Sequence, residues 1–258
     1  MSFDWKNKQV LVTGAGGFIG SHLVEALLAR GARVRALVRY NSRNDPGLLR
    51  LVPPDLAPNL QVLPADLRDA STLSAAALDC DTIFHLGALI AIPYSYDHPA
   101  DVVESNVIGT LNVLMAARSA GVRRLVHTSS SEVYGTALRV PIAEDHPLQG
   151  QSPYSASKIA ADKLAESFYC AYNLPVVTLR PFNTYGPRQS ARAVIPTIFM
   201  QALTRPVLRL GNLDARRDFT FVSDTVAGFL KIAETPGLEG QVLNLGTGVE
   251  VTIGELAQ

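Results

Sequence analysis

Short apolar runs alternate with amphipathic stretches along most of the chain. Gln9–Thr13 reads as a buried strand, and 21–30 as a helix with Leu23, Ala26 and Leu27 inward and Gly31 as its stop. Strands follow at 34–38 and 61–63, a helix from Ala70, and a further strand at 82–86. The stretch 101–120 has a helical repeat that points Val102, Val107, Leu111, Leu114 and Met115 inward and stops at Gly121. Arg124–Thr128 is the next strand. Ser152-Pro153 then opens a helix over 152–172, on which Ala156, Ile159, Ala160, Leu164 and Phe168 recur at helical spacing, and 174–180 is a strand. Strand–helix alternation of this kind predicts an α/β doubly wound parallel sheet over residues 1–180. The pattern then changes. Helices at 195–203 and 224–234 with short strands at 207–210 and 219–222 predict a smaller lobe over the carboxyl edge of the sheet. That lobe spans 181–258, with some segments returning to the main sheet.

The first strand runs into Gly14-Ala15-Gly16-Gly17-Phe18-Ile19-Gly20 and then the first helix. Strand, glycine turn and helix place backbone N–H groups and a helix N-terminus under a pyrophosphate, which makes the sheet a Rossmann-type dinucleotide site. Gly14, Gly17 and Gly20 supply the tight turn, the close ligand approach and the helix packing. An acidic residue about 20 positions after such a motif holds the ribose 2′-hydroxyl of NAD. Here the second strand ends Val38-Arg39-Tyr40-Asn41-Ser42-Arg43 without a carboxylate. Arg39 and Arg43 either meet a 2′-phosphate, which favours NADP over NAD, or are solvated loop charges. Asp66, just past a strand end, either accepts from an adenine amine or caps the helix from Ala70. Gly87-Ala88 would let the backbone pass close to a cofactor.

Tyr154 and Lys158 are four residues apart and so share one helix face. A lysine ammonium beside a phenol of ordinary pKa about 10 favours the phenolate, and hence a base. Asn106, on the inner side of 101–120, needs a hydrogen-bond partner. The strand at Arg124–Thr128 ends in Ser129-Ser130-Ser131-Glu132-Val133-Tyr134-Gly135, where open α/β sheets bind ligands. Turn chemistry favours serines there as well. Glu132 directed into an apolar site would have a raised pKa suited to proton transfer. Arg209, Arg216 and Arg217 concentrate in the smaller lobe and could clamp a diphosphate.

Composition narrows the partners. The chain has 258 residues, 47% hydrophobic, with formal net charge zero and no basic run, which argues against a nucleic-acid or anionic-membrane partner. No apolar run approaches the length of a bilayer span, and Met1 to Lys8 lacks the apolar core of a signal peptide. Cys80 and Cys170 stand far apart without metal spacing, which fits reduced thiols in a cytoplasm. His22, His85, His98, His127 and His146 are not paired at ligand spacing, so no metal is expected.

Together, Thr13-Gly14-Ala15-Gly16-Gly17-Phe18-Ile19-Gly20, the Ser130 region, Tyr154-x-x-x-Lys158 and Arg180-Pro181-Phe182-Asn183 resemble the extended short-chain dehydrogenase/reductases that act on nucleotide sugars. The resemblance implies a catalytic set of Ser130, Tyr154 and Lys158. Glu132, two places after the catalytic hydroxyl, is similar to the 4,6-dehydratases. Ser131-Glu132 is closer to the GDP-mannose dehydratases than to the Asp-Glu pair of many dTDP-glucose enzymes. UDP-glucuronate decarboxylases share the Ser-Glu-Val-Tyr-Gly block, and 4-epimerases lack the Glu. Residues 39–44, 92–96 and 183–192 resemble the LegB-type dehydratases of legionaminic acid synthesis, which implies an NDP-N-acetylglucosamine substrate. Those enzymes use NAD, against the arginine argument for NADP.

Further expectations follow from the family. It implies cofactor contacts from Phe18, Ile19, Arg39 and Asp66, and from Leu67, Leu86, Ala88, Tyr154 and Lys158. Substrate contacts are implied from Ser131, Asn183, Arg192 and Arg217, and a homodimer through 101–120 and 152–172. Family members generally continue several tens of residues beyond the point matching Gln258, so a shortened substrate lobe is expected. A non-catalytic dinucleotide-binding protein is the alternative of another class, and a pure binder has no need of the Ser130, Tyr154 and Lys158 trio.

Overall fold

The computed structural model describes residues 3–258. β1 (Gln9–Thr13), α1 (Phe18–Ala29), β2 (Arg33–Arg39), β3 (Leu60–Ala65), α2 (Ala70–Ala77) and β4 (Thr82–His85) form the first half of the sheet. α3 (Ile92–Asp97), α4 (Pro99–Val103) and α5 (Gly109–Ala120) lead to β5 (Arg124–Thr128), and α6 (Pro153–Tyr172) leads to β6 (Val176–Pro181). Next come β7 (Asn183–Tyr185), α7 (Val194–Thr204), β8 (Arg216–Phe221), α8 (Val222–Glu234), β9 (Val242–Leu245), β10 (Glu250–Thr252) and α9 (Ile253–Leu256). The main sheet has seven strands in the order β3-β2-β1-β4-β5-β6-β9. Every pairing in it is parallel. This is the doubly wound Rossmann arrangement.

Both faces are covered, because each strand sends alternate residues to opposite sides. Val10 and Val12 of β1 join Leu23, Leu27 and Phe229 in one core, under α1 and α8. Leu11 points the other way and joins Leu73, Leu114 and Ala165, under α2, α5 and α6. Residues beyond β6 do two things. β9 returns to the edge of the main sheet, while β7, β8 and β10 form a separate sheet in the order β10-β8-β7.

Three features differ from the hydrophobic pattern. Residues 207–210 form no strand, and that stretch carries bends and irregular backbone. Val242–Leu245 is short and half-buried, which left it without a pattern to recognise. The helix expected over 101–120 is broken into α4, a π turn at Glu104–Ile108 and α5. The wide turn rotates the buried face, so Met115 is 51% exposed and Thr110, Val113, Leu114 and Ala117 point inward. Asn106 lies in the turn and accepts from Leu89 N at 2.7 Å while donating to Leu89 O at 2.9 Å. Its Nδ2 also donates to Ser157 Oγ on α6 at 3.0 Å.

Asn106 thus supplies the partners of a strand-end backbone that no ladder reaches. Asn106→Ala would leave the Leu89 N–H and C=O without them and should lower stability by about 1–3 kcal/mol, measured by urea unfolding.

Candidate active site at the carboxyl edge of the sheet

The glycine turn shapes the first part of the site. Gly14 has φ +67°, and a Cβ there would sit 2.7 Å from Gly87 N at the end of β4. A Cβ on Gly20 would fall 2.3 Å from Gly14 O, so α1 packs directly on the turn that precedes it. Gly17 is the N-cap of α1 and offers no side-chain acceptor, so the first N–H groups, from Phe18 onward, have no partner inside the helix. Beside this turn lies a cavity of about 130 Å³ lined by Gly14, Arg39, Asp66, Leu67, Gly87 and Ala88, among others. Free helix N–H groups, a cradle that a Cβ would fill and an adjoining slot fit a dinucleotide. Leu86 lies beneath the turn, its backbone carbon 2.8 Å from where a Gly14 Cβ would be.

Asp66 does not cap α2. That role belongs to Asp69, whose carboxylate accepts from Ser71 N and Thr72 N. Asp66 instead pairs with Arg68 at 2.6 Å, which holds its carboxyl below the usual range. Arg39 is exposed at the cavity and Arg43 lies on the surface.

The second part is a larger cavity of about 680 Å³. Ser131, Glu132, Asn183 and Arg217 all line it. Arg216 joins them, while Arg209 is tied to Gln201 through its backbone and stays outside. Arg192 is exposed before α7 and is not part of the wall. Sequence reasoning passed over other members, among them Thr136, Gln151, Asp218, Asn244 and Glu250. Asp218 accepts from Thr247 N, Thr247 Oγ1 and Gly248 N, and so fixes the turn that closes one side.

Ser130 directly precedes Ser131 and Glu132 of the larger cavity, and Tyr154 lies close to Ser130 and Glu132. Ser130 caps a 3-10 turn over Ser131–Tyr134, its Oγ accepting from Glu132 N at 3.2 Å. α6 starts on a reciprocal cap in which Ser152 Oγ accepts from Ser155 N and Ser155 Oγ accepts from Ser152 N. This positions Tyr154 in the first turn and Lys158 one turn on, both buried. The buried stripe of α6 is Tyr154, Ser157, Lys158, Ala161, Asp162, Ala165 and Phe168, whereas Ala156 faces solvent. Asp162 was missed. Its signal was a third polar residue continuing the four-residue spacing of Tyr154 and Lys158.

The expected lowering of the tyrosine pKa by its lysine is not what the fold produces. Burial pushes the Tyr154 phenol up to about 12, the Ser130 hydroxyl pulls it down, and the Glu132 and Asp162 carboxylates push it further up. Lys158 is not aimed at the phenol. Its Nζ donates to Thr128 O at 2.6 Å, and burial lowers the ammonium to about 8 against the upward pull of Asp162.

Two histidines lie beneath. Thr110 Oγ1 donates to Asn106 O at 2.6 Å, so His85 Nε2, 2.9 Å away, must be the donor to it. His85 Nδ1 then accepts from Thr13 Oγ1 at 2.8 Å, and that oxygen accepts from Gly87 N. Burial holds His85 well below the usual histidine range, helped by the neighbouring His127 and Lys158 charges. His127 is likewise lowered by burial, although its contact with Asp162 opposes the shift. Among the described residues, no group of three or more His, Cys, Asp or Glu is arranged to hold a metal ion.

The family model for GDP-mannose 4,6 dehydratase matches residues 11–258. The chain belongs to that family. It is an enzyme of the extended short-chain dehydrogenase/reductase class, similar to nucleotide-sugar dehydratases, decarboxylases and epimerases. The UDP-glucose 4-epimerase of Mycolicibacterium smegmatis is 40% identical over 96% of this chain and 80% of its own length. UDP-glucuronic acid decarboxylase 2 of Arabidopsis thaliana is 35% identical over 98% of this chain and 56% of its own. The dTDP-glucose 4,6-dehydratase DesIV of Streptomyces venezuelae, solved with NAD bound, superposes with a TM-score of 0.86 at 34% identity. That superposition covers 96% of this chain and 79% of DesIV. No helix among the described residues is long and apolar enough to cross a membrane.

The buried histidines set a pH dependence. Their folded pKa values lie below the unfolded value of 6.5, so below that pH the unfolded chain binds more protons than the native one. Stability should be full above pH 6.5 and fall as pH drops below it. Urea unfolding at stepped pH should show that slope, and His85→Gln should flatten it.

Proposed function

We propose that this protein is a nucleotide-sugar 4,6-dehydratase that forms an NDP-4-keto-6-deoxy-hexose. The observation that carries this reading is the place of Glu132. Its carboxylate lines the larger cavity and lies close enough to Tyr154 to raise the phenol's pKa, so a second proton-transfer group faces the space beside the tyrosine. A simple oxidation and re-reduction at C4 needs one base; elimination of water across C5 and C6 needs another.

The smaller and larger cavities suit a nicotinamide dinucleotide and a nucleotide sugar respectively. The turn from Gly14 to Gly20 would hold the pyrophosphate, with Asp66, Leu67, Leu86 and Ala88 around the remainder. Bound oxidised nicotinamide supplies hydride acceptance at the sugar C4 and hydride return at C6. In this reading Tyr154 takes the proton of the 4-hydroxyl, Ser130 hydrogen-bonds that oxygen, and Lys158 holds the ribose. With C4 a ketone, the C5 proton is acidic. Glu132 removes it and returns a proton to the departing C6 hydroxyl, directly or through Ser131; with hydride returned to C6, C5 regains a proton, which balances the one Tyr154 took from the 4-hydroxyl. Asn183 and Arg217 contact the nucleotide sugar from the cavity wall.

The resemblance of 39–44, 92–96 and 183–192 supports an NDP-N-acetylglucosamine as the sugar. For the cofactor, Arg39 at the dinucleotide cavity and the lack of a carboxylate at the end of β2 support NADP over NAD. The NAD bound in DesIV supports the opposite choice. Exposed apolar residues on α5 and α6, Met115, Tyr169 and Tyr172, support a homodimer through these helices. The second reading is a 4-epimerase, favoured by the 40% identity to the mycobacterial epimerase.

Mass spectrometry and proton NMR of the products formed from UDP-GlcNAc, GDP-mannose, dTDP-glucose and UDP-glucuronate separate these readings. The dehydratase should remove one water from one of them, and Glu132→Gln should lower that rate by a factor on the order of 100–10,000 while leaving transient C4 oxidation intact. Loss of carbon dioxide from UDP-glucuronate, or isomerisation at constant mass, would overturn the assignment. Titration of cofactor fluorescence tests the dinucleotide. Arg39→Ala should weaken NADP binding roughly tenfold or more and leave NAD nearly unchanged. Equal losses for the two would remove the arginine argument.

A further inference from the structure

Asp162 is 4% exposed and yet charged, one helical turn beyond Lys158. Burial pushes its pKa up, but the hydrogen bonds and charges around it outweigh burial and hold the carboxyl below the usual range. Four donors converge on it. Oδ1 accepts from His127 Nε2 at 3.1 Å. Oδ2 accepts from Ser129 Oγ at 2.8 Å and from Arg180 Nε and Nη2 at 3.1 and 3.0 Å.

The sequence positions of these donors matter more than their number. His127 and Ser129 flank Thr128, whose carbonyl is the acceptor for Lys158 Nζ at 2.6 Å. Ser129 is followed directly by Ser130, the hydroxyl beside Tyr154. Three successive residues at the end of β5 are therefore tied to α6 in alternation: side chain to Asp162, carbonyl to Lys158, side chain to Asp162. The same carboxylate reaches the substrate cavity through β6. Arg180 Nη1 donates to Tyr134 Oη at 2.9 Å, which donates to Asn244 Oδ1 at 2.7 Å in the cavity wall.

We propose that Asp162 is a positioning residue for the reaction at Tyr154: it clamps the end of β5 so that the Thr128 carbonyl and the Ser130 hydroxyl stand where Lys158 and Tyr154 need them. A carboxylate kept only for stability is poorly explained here, since a buried ion pair seldom improves on well-packed apolar residues. The clamp also has an electrostatic side. The titratable groups that act on Lys158 or feel its charge are Asp162 on its own helix, His85 on β4 and His127 on β5, while Arg180 on β6 pairs with Asp162. Asp162 is the carboxylate among them that favours the ammonium. Removing its charge would withdraw that support and disfavour Lys158 as a cation.

The inference rests on the proposed role of Lys158 in C4 oxidation, and its test has one arm that needs no turnover. Protein labelled with 13C at lysine Cε is titrated by NMR, with Lys158→Met identifying the signal. In Asp162→Asn the midpoint of that signal should move down by roughly one pH unit or more. Single-turnover reduction of bound cofactor by the nucleotide sugar should slow about tenfold or more at neutral pH, with its high-pH limb displaced in the same direction. A folded Asp162→Asn protein with unchanged midpoint and unchanged limb overturns the proposal. If that variant does not fold, Ser129→Ala keeps the ion pair and removes one tie. It should lower kcat with little change in KM, and an unchanged kcat overturns the clamp. A wild-type protein that oxidises no nucleotide sugar refutes the functional reading, while the lysine titration still decides the role of Asp162.

Discussion

The site is organised by a lysine ammonium taken out of water and given a backbone carbonyl as partner. Lys158 is 4% exposed and donates to Thr128 O. A buried cation is tolerated only where partners and nearby opposite charge offset its desolvation. β5 must therefore end at a set height against α6, and Asp162 must lie one turn further along the same stripe. Once these are set, Ser130 begins the next turn and Tyr154 faces it from the start of α6.

The remaining architecture brings two cavities to this point. On one side, β1 passes into α1 so tightly that neither Gly14 nor Gly20 has room for a Cβ. On the other, the 3-10 turn after Ser130 carries Ser131 and Glu132 into the larger cavity, whose opposite wall comes from β8 and the turn after β9. The wall is coupled to α6 through buried polar contacts, from Asp162 through Arg180 and Tyr134 to Asn244. Low dielectric strengthens each of these contacts and makes any unmatched member expensive. A substitution far from Tyr154 but within this set can therefore alter its surroundings.

Relatives of this chain include epimerases and decarboxylases as well as dehydratases. Oxidation at C4 is a chemistry that one Ser, Tyr and Lys arrangement can serve in each case. In the proposed reading Glu132 separates a dehydratase from a 4-epimerase, and its position follows from a 3-10 turn that starts at Ser130 rather than from any feature of the sheet.

Local chemistry along the chain determines much of this by itself. The period of the apolar residues is enough for the alternation of strands and helices, because a strand buried on both faces and an amphipathic helix each carry their own repeat. The glycine turn, the Tyr154 and Lys158 spacing and the need of Asn106 for a partner are legible for the same reason. Contacts between distant segments are not. β9 is four residues of half-buried backbone that pairs with β6 only because the chain returns there. The π turn that exposes Met115 exists where Asn106 meets Leu89, a residue from another part of the chain. Asp162 reads as an ordinary helix charge until His127, Ser129 and Arg180 are folded around it. The shift of the tyrosine runs opposite to the expectation from spacing for the same cause. Spacing places two groups on one face, but only tertiary packing determines how much water each loses and which oxygen the ammonium meets.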